Sequence, residues 1–316
     1  EVARFSNAVP LAGHVEHVAA DGTATTLALL QAYVSNQGDG WIYTQNYLGR
    51  YLETRPEGEP APAADTHGVY LALVATLATR TAELHRAFTR RSGDPAFDPE
   101  AATPQDFAAW KARVRDDARA TLQLLERRLP ELTGAVAEAA QGLVARAGEV
   151  MEIVESAALP RGAMLKTRHH GDYHLGQVLL HENDFVIIDF EGEPERPVAE
   201  RRDKHSPLRD VAGMLRSFDY AQWAALRAAA KSAEEYARLL PLAASWQVEA
   251  RRAFIAAYAA AVTDTGLYGS FDDAAGLLRL FELEKALYEL RYEINNRPDW
   301  IHVPLAGIRS LAARSG

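Results

Sequence analysis

The chain has 316 residues, 48% of them hydrophobic and 24% charged, with a net charge of -9. That is ample material for a buried core in one large or two ordinary domains, and the acidic balance argues against a nucleic-acid partner, whose binders carry basic surfaces. There is no cysteine, which excludes disulfides and thiolate metal sites and fits a cytoplasmic protein, and no run approaches the roughly 18 apolar residues of a membrane span.

In chain order, the first elements read as strands. Residues 9–18 alternate loosely up to a turn at Asp21-Gly22, and 25–34 form a second strand, so the two predict an antiparallel hairpin. The second strand ends in Gln31-Ala32-Tyr33-Val34, and the polar stretch 35–40 leads into Trp41. Helices then dominate. Val69, Leu73, Leu77, Leu84 and Phe88 recur at helical spacing over 66–91. After a loop bearing Gly93, Pro95 and Pro99, Thr103 and Pro104 mark a capped helix start, and that helix runs to Leu129 before Pro130. The pattern predicts one further helix over 131–159, ending at Pro160. Residues 164–170, 177–181 and 185–189 read as short strands around a loop. The remaining helices span 207–231, 233–265 and 271–296, and Pro298 and Pro304 are expected to end the regular structure.

The loop between the short strands carries the chemistry. Asp172 follows Gly171, which lets the backbone bend close to a ligand; Gln177 comes five residues later, and Asp189 closes an apolar strand. A carboxylate in that last position is costly unless it is ionised beside a partner. Phosphoryl transfer needs one carboxylate to orient the attacking hydroxyl, plus an amide oxygen and a carboxylate to hold magnesium against nucleotide phosphates. The kinase template places an Asp, an Asn five residues on, and then Asp-Phe-Gly. Here Gln177 stands for the Asn and Asp189-Phe190-Glu191 for the triplet. The alternatives are a turn aspartate bonding its own backbone and a buried glutamine; the joint spacing favours catalysis by Asp172 with Gln177 and Asp189 as metal ligands. Oxygen donors suit magnesium rather than zinc. His169, His170 and His174 could instead gather a transition metal, but His170 stands where kinase-like loops keep a structural histidine, and His174 reads as a substrate contact or a brace.

Two further groups complete the set of candidates. Gln31, Tyr33 and Val34 end a strand before a connector, which is where kinase folds present backbone groups to adenine; an ordinary strand is the alternative. On the helix over 271–296, Glu284, Lys285, Tyr288, Arg291 and Tyr292 share one broad face, with Asn295, Asn296 and Trp300 at its end. Acids, bases, amides and rings together suit a sugar, while a solvated face with intrahelical ion pairs is the plainer reading.

Together, the segments 170–177, 189–194, 200–218, 31–43 and 288–300 resemble bacterial maltokinases of the aminoglycoside-phosphotransferase and protein-kinase-like superfamily, including those fused to trehalose synthase. The resemblance implies an α+β, protein-kinase-like fold: a mostly helical C-terminal lobe over 35–316, with short β hairpins at the catalytic loop, and the remnant of a β-rich N-terminal lobe over 1–34. It implies ATP and magnesium as cofactors and maltose as the substrate, phosphorylated at its anomeric hydroxyl, with a trehalose synthase domain or subunit as partner. By position, Asp172 is the base, Gln177 and Asp189 the magnesium ligands, the strand over 27–34 the adenine contact, and His174 with residues 284–300 the maltose contacts. Family members carry a lysine strand and a phosphate-covering loop before the hinge. Only about 25 residues precede it here, with neither feature, so the chain is expected to be the latter three-quarters of such a domain and to phosphorylate weakly alone. Another sugar or an aminoglycoside as substrate, or a non-catalytic glucan-binding module, are the competing expectations.

Overall fold

Leu11–Val18 (β1) and Ala24–Gln31 (β2) form the predicted antiparallel hairpin. Its turn closes through Asp21, whose carboxylate accepts the Thr23 amide at 2.9 Å, and through Gly22 at φ +86°. A computed structural model of the chain describes residues 5–54, 66–158 and 160–313, and within it this hairpin is exposed on both faces.

The connector after β2 turns back along the body of the molecule. The Gln37 amide donates to the Leu180 carbonyl at 2.8 Å, and the Leu180 amide donates to the Gly38 carbonyl at 3.0 Å. Asp39 then caps α1 (Gly40–Glu53), accepting the Ile42 amide at 2.7 Å. This cap, within the polar stretch 35–40, starts a helix that hydrophobic spacing alone does not single out. Helix α2 (Gly68–Ala87) lies inside the expected 66–91. The ladder between β3 (Glu100–Ala101) and β4 (Leu165–Lys166) is only two residues long. The longer strand expected over 164–170 stops there because Thr167 exchanges backbone hydrogen bonds with His205 instead, at 2.9 and 3.0 Å. Residues 168–170 are thereby released to the loop.

Helix α3 (Pro104–Arg128) starts at the predicted position with a full capping box between Thr103 and Asp106. The single helix expected over 131–159 is two: α4 (Gly134–Ala145) and α5 (Ala147–Ser156), divided at Arg146, whose backbone leaves helical geometry at φ -109°, ψ 28°. Leu159, its expected end, lies outside the described residues. The hairpin of β5 (Val178–His181) and β6 (Asp184–Ile187) turns through Glu182 and Asn183, both left-handed. Then come α6 (Val198–Arg202), α7 (Leu208–Ala229), α8 (Ala233–Ala261) and α9 (Ala275–Asn296). Regular structure does not end at Pro304: it sits in the first turn of α10 (His302–Ala313), where a missing N–H costs nothing. The result is a mostly helical body with small antiparallel sheets, as expected for the α+β class. No helix among the described residues is long and apolar enough to cross a membrane.

Helix α7 is the central post. Every residue from 210 to 218 is buried, so the helix is covered all round by α1, α8, α9 and α10. The loop carrying Asp172 rests on it. A Cβ on Gly213 would sit 2.6 Å from the Tyr173 carbonyl oxygen, so only glycine admits the loop at this depth. Gly213→Ala is expected to cost about 1–3 kcal/mol, the usual penalty of overpacking, read as a lowered urea midpoint at unchanged slope, with a larger loss of activity because the loop itself must move.

Candidate active site

The loop over 170–177 divides its side chains by burial. His170, Tyr173 and Leu175 point into the core, and the Tyr173 hydroxyl lies 2.9 Å from the Thr81 hydroxyl on α2. Asp172, His174 and Gln177 keep partial exposure. Beneath them, one buried carboxylate shapes the turn. Asp210, in the first turn of α7, accepts the His170 amide at 2.8 Å and the Gly171 amide at 2.9 Å, and lies 3.1 Å from His85 Nε2. Burial alone would push its pKa up; the hydrogen bond from His85, with the surrounding histidines, holds it well below the usual carboxylate range. With its Nε2 proton toward that carboxylate, His85 places Nδ1 2.7 Å from the Tyr258 hydroxyl, which in turn lies 3.0 Å from the Tyr268 hydroxyl.

A second tie joins the loop to the β5–β6 hairpin. His170 Nε2 donates to the Ile188 carbonyl at 2.7 Å, and its Nδ1 accepts the Asp172 amide at 3.3 Å. The Ile188 amide bonds the Gln177 carbonyl at 3.0 Å, which sets Gln177 opposite Asp189. There the Gln177 side-chain NH₂ donates to Asp189 Oδ2 at 2.9 Å. Asp189 holds φ +61°, a left-handed conformation that is uncommon outside glycine. Such a backbone outlier is the kind that functional sites retain. The amide oxygen and the carboxylate form a pair of hard oxygen donors, fitting a magnesium ion that completes its shell with waters and substrate phosphates. No cluster of three His, Cys, Asp or Glu side chains suited to a metal occurs among the described residues, and the loop's histidines are engaged otherwise. His170 is committed to backbone. His174 Nδ1 accepts the Gly176 amide at 3.0 Å, which leaves the proton on Nε2, 3.9 Å from Asp172 Oδ2. Burial holds this ring's pKa below its ordinary value against the pull of Asp172.

Asp172 meets α9 through Lys285, whose Nζ lies 3.2 Å from Asp172 Oδ1 and 2.5 Å from Glu193 Oε1. From there charges alternate: Glu193 pairs with Arg196, Arg196 reaches Glu284 at 3.5 Å, and Glu284 bonds Arg209 at 3.2 Å. Burial favours neutral Glu193, but Lys285 and Arg196 pull its pKa down to about 2. Burial likewise opposes the Lys285 charge, and Glu193 and Asp172 outweigh it, holding the ammonium above its ordinary value.

The structure thus gathers Asp172, His174, Glu284 and Lys285 around one chain of ion pairs, with the Tyr288 ring 4.9 Å from Lys285 Nζ. Glu284 is 3% exposed and committed to its arginines. Tyr292 and Trp300 lie further along and bracket Arg297 at 5.4 and 5.6 Å. Asn296 donates to the Tyr292 carbonyl at 2.9 Å, closing the helix, and Asn295 is exposed. Arg291 leaves the shared face and bonds Thr121 on α3 at 2.7 Å. At the connector, Gln31 pairs with Leu11 in the ladder, the Val34 carbonyl accepts from Asn36, and the Tyr33 side chain is 89% exposed. Sequence reasoning missed Asp210, His85, Glu193 and Arg196. Only Asp210 left a trace, as an acid in the first turn of a helix.

A family model described as a phosphotransferase enzyme family matches residues 16–246. The chain is 26% identical to a glucosamine kinase of Streptacidiphilus jiangxiensis over 90% of its own length and 57% of that protein's. It is 28% identical to a glucosamine kinase of Mycolicibacterium smegmatis over 95% and 66% respectively. Among solved structures, a glucosamine kinase in complex with glucosamine, ADP and inorganic phosphate superposes with a TM-score of 0.71 at 22% identity, covering 98% of this chain and 65% of that one. Another crystal form of a glucosamine kinase gives 0.71 at 24% identity, over 98% of this chain and 66% of that one. The family model agrees with the superfamily that the motifs suggested, but these relatives are glucosamine kinases where the motif resemblance pointed to maltose.

Two outcomes follow from this geometry. Asp210→Asn puts an amide NH₂ against an N–H donor and is expected to cost about 1.5–3 kcal/mol, the worth of a hydrogen bond to a charged group, seen in urea unfolding. Glu193 has a lowered native pKa, so its stabilising contribution is full above the free-glutamate value of 4.5 and is lost as pH falls toward about 2. An acid-unfolding series should show Glu193→Gln losing stability relative to the unaltered chain at pH 7, with the gap closing through that window. By matched family model and fold, the chain belongs to the phosphotransferase enzyme family.

Proposed function

We propose that this chain forms the catalytic and acceptor-binding part of a kinase that transfers the γ-phosphoryl group of ATP to a sugar hydroxyl. The observation that carries the reading is that Asp172, paired with the Lys285 ammonium, shares its loop with Gln177 of the Gln177–Asp189 oxygen pair. Asp172 accepts the proton of the attacking hydroxyl, while Lys285 and His174 Nε2 fix the carboxylate's orientation and offer donors to the acceptor. Gln177 and Asp189 would hold magnesium, which when bound supplies positive charge against the transferring phosphoryl group. Residues 31–34 offer backbone groups to the base. In this division, 1–34 contribute the edge of a nucleotide-covering lobe and 35–316 the catalytic lobe.

On the acceptor, the names of the relatives favour glucosamine, and the charges of the site favour a neutral sugar. Each acid beside Asp172 already has a cationic partner: Glu193 with Lys285 and Arg196, Glu284 with Arg209. An amino group would have to displace one of them. The face from Lys285 to Tyr292 also extends about 10 Å along α9 at the helical rise, longer than one pyranose ring. Both points support a neutral disaccharide such as maltose.

ADP release by the full-length protein, with magnesium and a panel of maltose, glucose and glucosamine, tests both levels. Maltose turnover above that of the monosaccharides is expected, falling by about 10²–10⁴-fold in Asp172→Asn, the range for loss of a general base. Lys285→Gln should raise the acceptor KM more than the ATP KM. Turnover of glucosamine alone overturns the acceptor but keeps the kinase; no turnover with any sugar overturns both.

A further inference from the structure

A second cleft, of about 720 Å³, opens between α3, the end of β4 and the connector from α6 to α7. It lies in the size range of small-molecule sites. Asp172, Gln177, Asp189 and Lys285 do not line it. Glu200 reaches from it to Arg196, and Arg209 lines it while bonding Glu284, so the cleft adjoins the outer end of the ion-pair chain.

The cleft is basic on a chain whose net charge is -9. Arg113, Lys166, Arg168, Arg202, Lys204 and Arg209 face it, against four acids: Glu100, Asp106, Glu200 and Asp203. Most of these charges are already matched. Lys166 bonds Glu100 and Asp106, Lys204 bonds Glu100, Arg113 bonds Glu200, and Arg209 bonds Glu284. Two are not. Arg168 donates to the Arg202 backbone carbonyl; the Arg202 charge opposes that of Arg168 while Asp203 favours it, and neither arginine forms an ion pair among the described residues. Burial and the neighbouring Arg202 charge lower the Arg168 pKa, a cost that a bound anion would relieve.

The apolar side of the cleft is built to match. Trp110 stacks on His205 at 4.4 Å and forms a floor, held in place by the Thr167–His205 backbone pair. At the mouth, the Phe97 ring is 46% exposed with the Arg168 guanidinium 5.5 Å from its centroid. The unpaired guanidinium groups suit the forked geometry of a phosphate, the exposed ring suits the C–H face of a sugar, and Asp203 suits its hydroxyls.

We propose that this cleft is a binding site for a sugar phosphomonoester, separate from the acceptor site, with the phosphate on Arg168 and Arg202 and the sugar ring against Phe97. Calorimetric titration of the full-length protein with glucose 6-phosphate and with inorganic phosphate tests it, with ADP and magnesium saturating so that the nucleotide site is filled. Glucose 6-phosphate should bind saturably and more tightly than phosphate. Its affinity should fall at least tenfold in Arg168→Gln/Arg202→Gln and severalfold in Arg202→Gln alone, an exposed position that leaves folding intact. Asp172→Asn and Lys285→Gln, which alter the acceptor site, should leave it unchanged. The proposal is overturned by absence of saturable binding, by equal affinity for phosphate and glucose 6-phosphate, by undiminished affinity in either arginine variant, or by loss of binding in Asp172→Asn or Lys285→Gln. Because the titration needs no turnover, it stands or falls apart from the kinase assignment.

Discussion

One buried carboxylate organises the site. Asp210 spends both oxygens on N–H donors that have no other partner at hand: the amides of His170 and Gly171 and the ring of His85. Left unmatched in the core, such donors are expensive, and a lone carboxylate would be more so. Together they lock the backbone two residues ahead of Asp172 to the most deeply buried helix of the molecule. The His85–Tyr258–Tyr268 relay extends this grip to α2 and α8, so the Asp172 loop inherits the rigidity of three separate elements.

Above that anchor the side chains are placed by charge. Lys285 bridges Asp172 and Glu193, and the alternation continues through Arg196 and Glu284 to Arg209. Each ion is bought out of water only by its neighbours, which makes the chain costly to interrupt at any single point. It also means that α9 and the segment after Asp189 cannot shift independently of the loop. The surface around Asp172 is therefore one of fixed polarity.

The sequence made some of this visible and hid the rest for physical reasons. Asp172, Gln177 and Asp189 were legible because their spacing is dictated by a short loop and a tight hairpin, and both are local. The α3 start was legible because Thr103 and Pro104 act within one turn. The break at Arg146 was not, since both sides are equally rich in helix formers and the interruption is a backbone event. The strand over 164–170 was overcalled because its β-like residues find a partner in His205, far along the chain. Asp210, His85 and Glu193 were hidden for the same reason: their meaning lies in partners 40 to 125 residues away, and no local pattern encodes such a distance. Glu284 was read as part of an open wall, but arginines from two other segments enclose it.

The β1–β2 hairpin has a different consequence. Its ladder pairs the two strands with register shifts at Leu11/Gly13 and Val15/Glu16, and neither face is covered, so opening it exposes almost no new apolar surface to water. The ties that hold it to the helical body are at its base, where Ala8 meets Ile187 and residues 37–38 meet Leu180. Stability is therefore graded along the chain: residues 11–31 are expected to open as a local unit whose amides exchange independently of the core, with its boundary at the connector beside β5, the strand that directly follows Gln177.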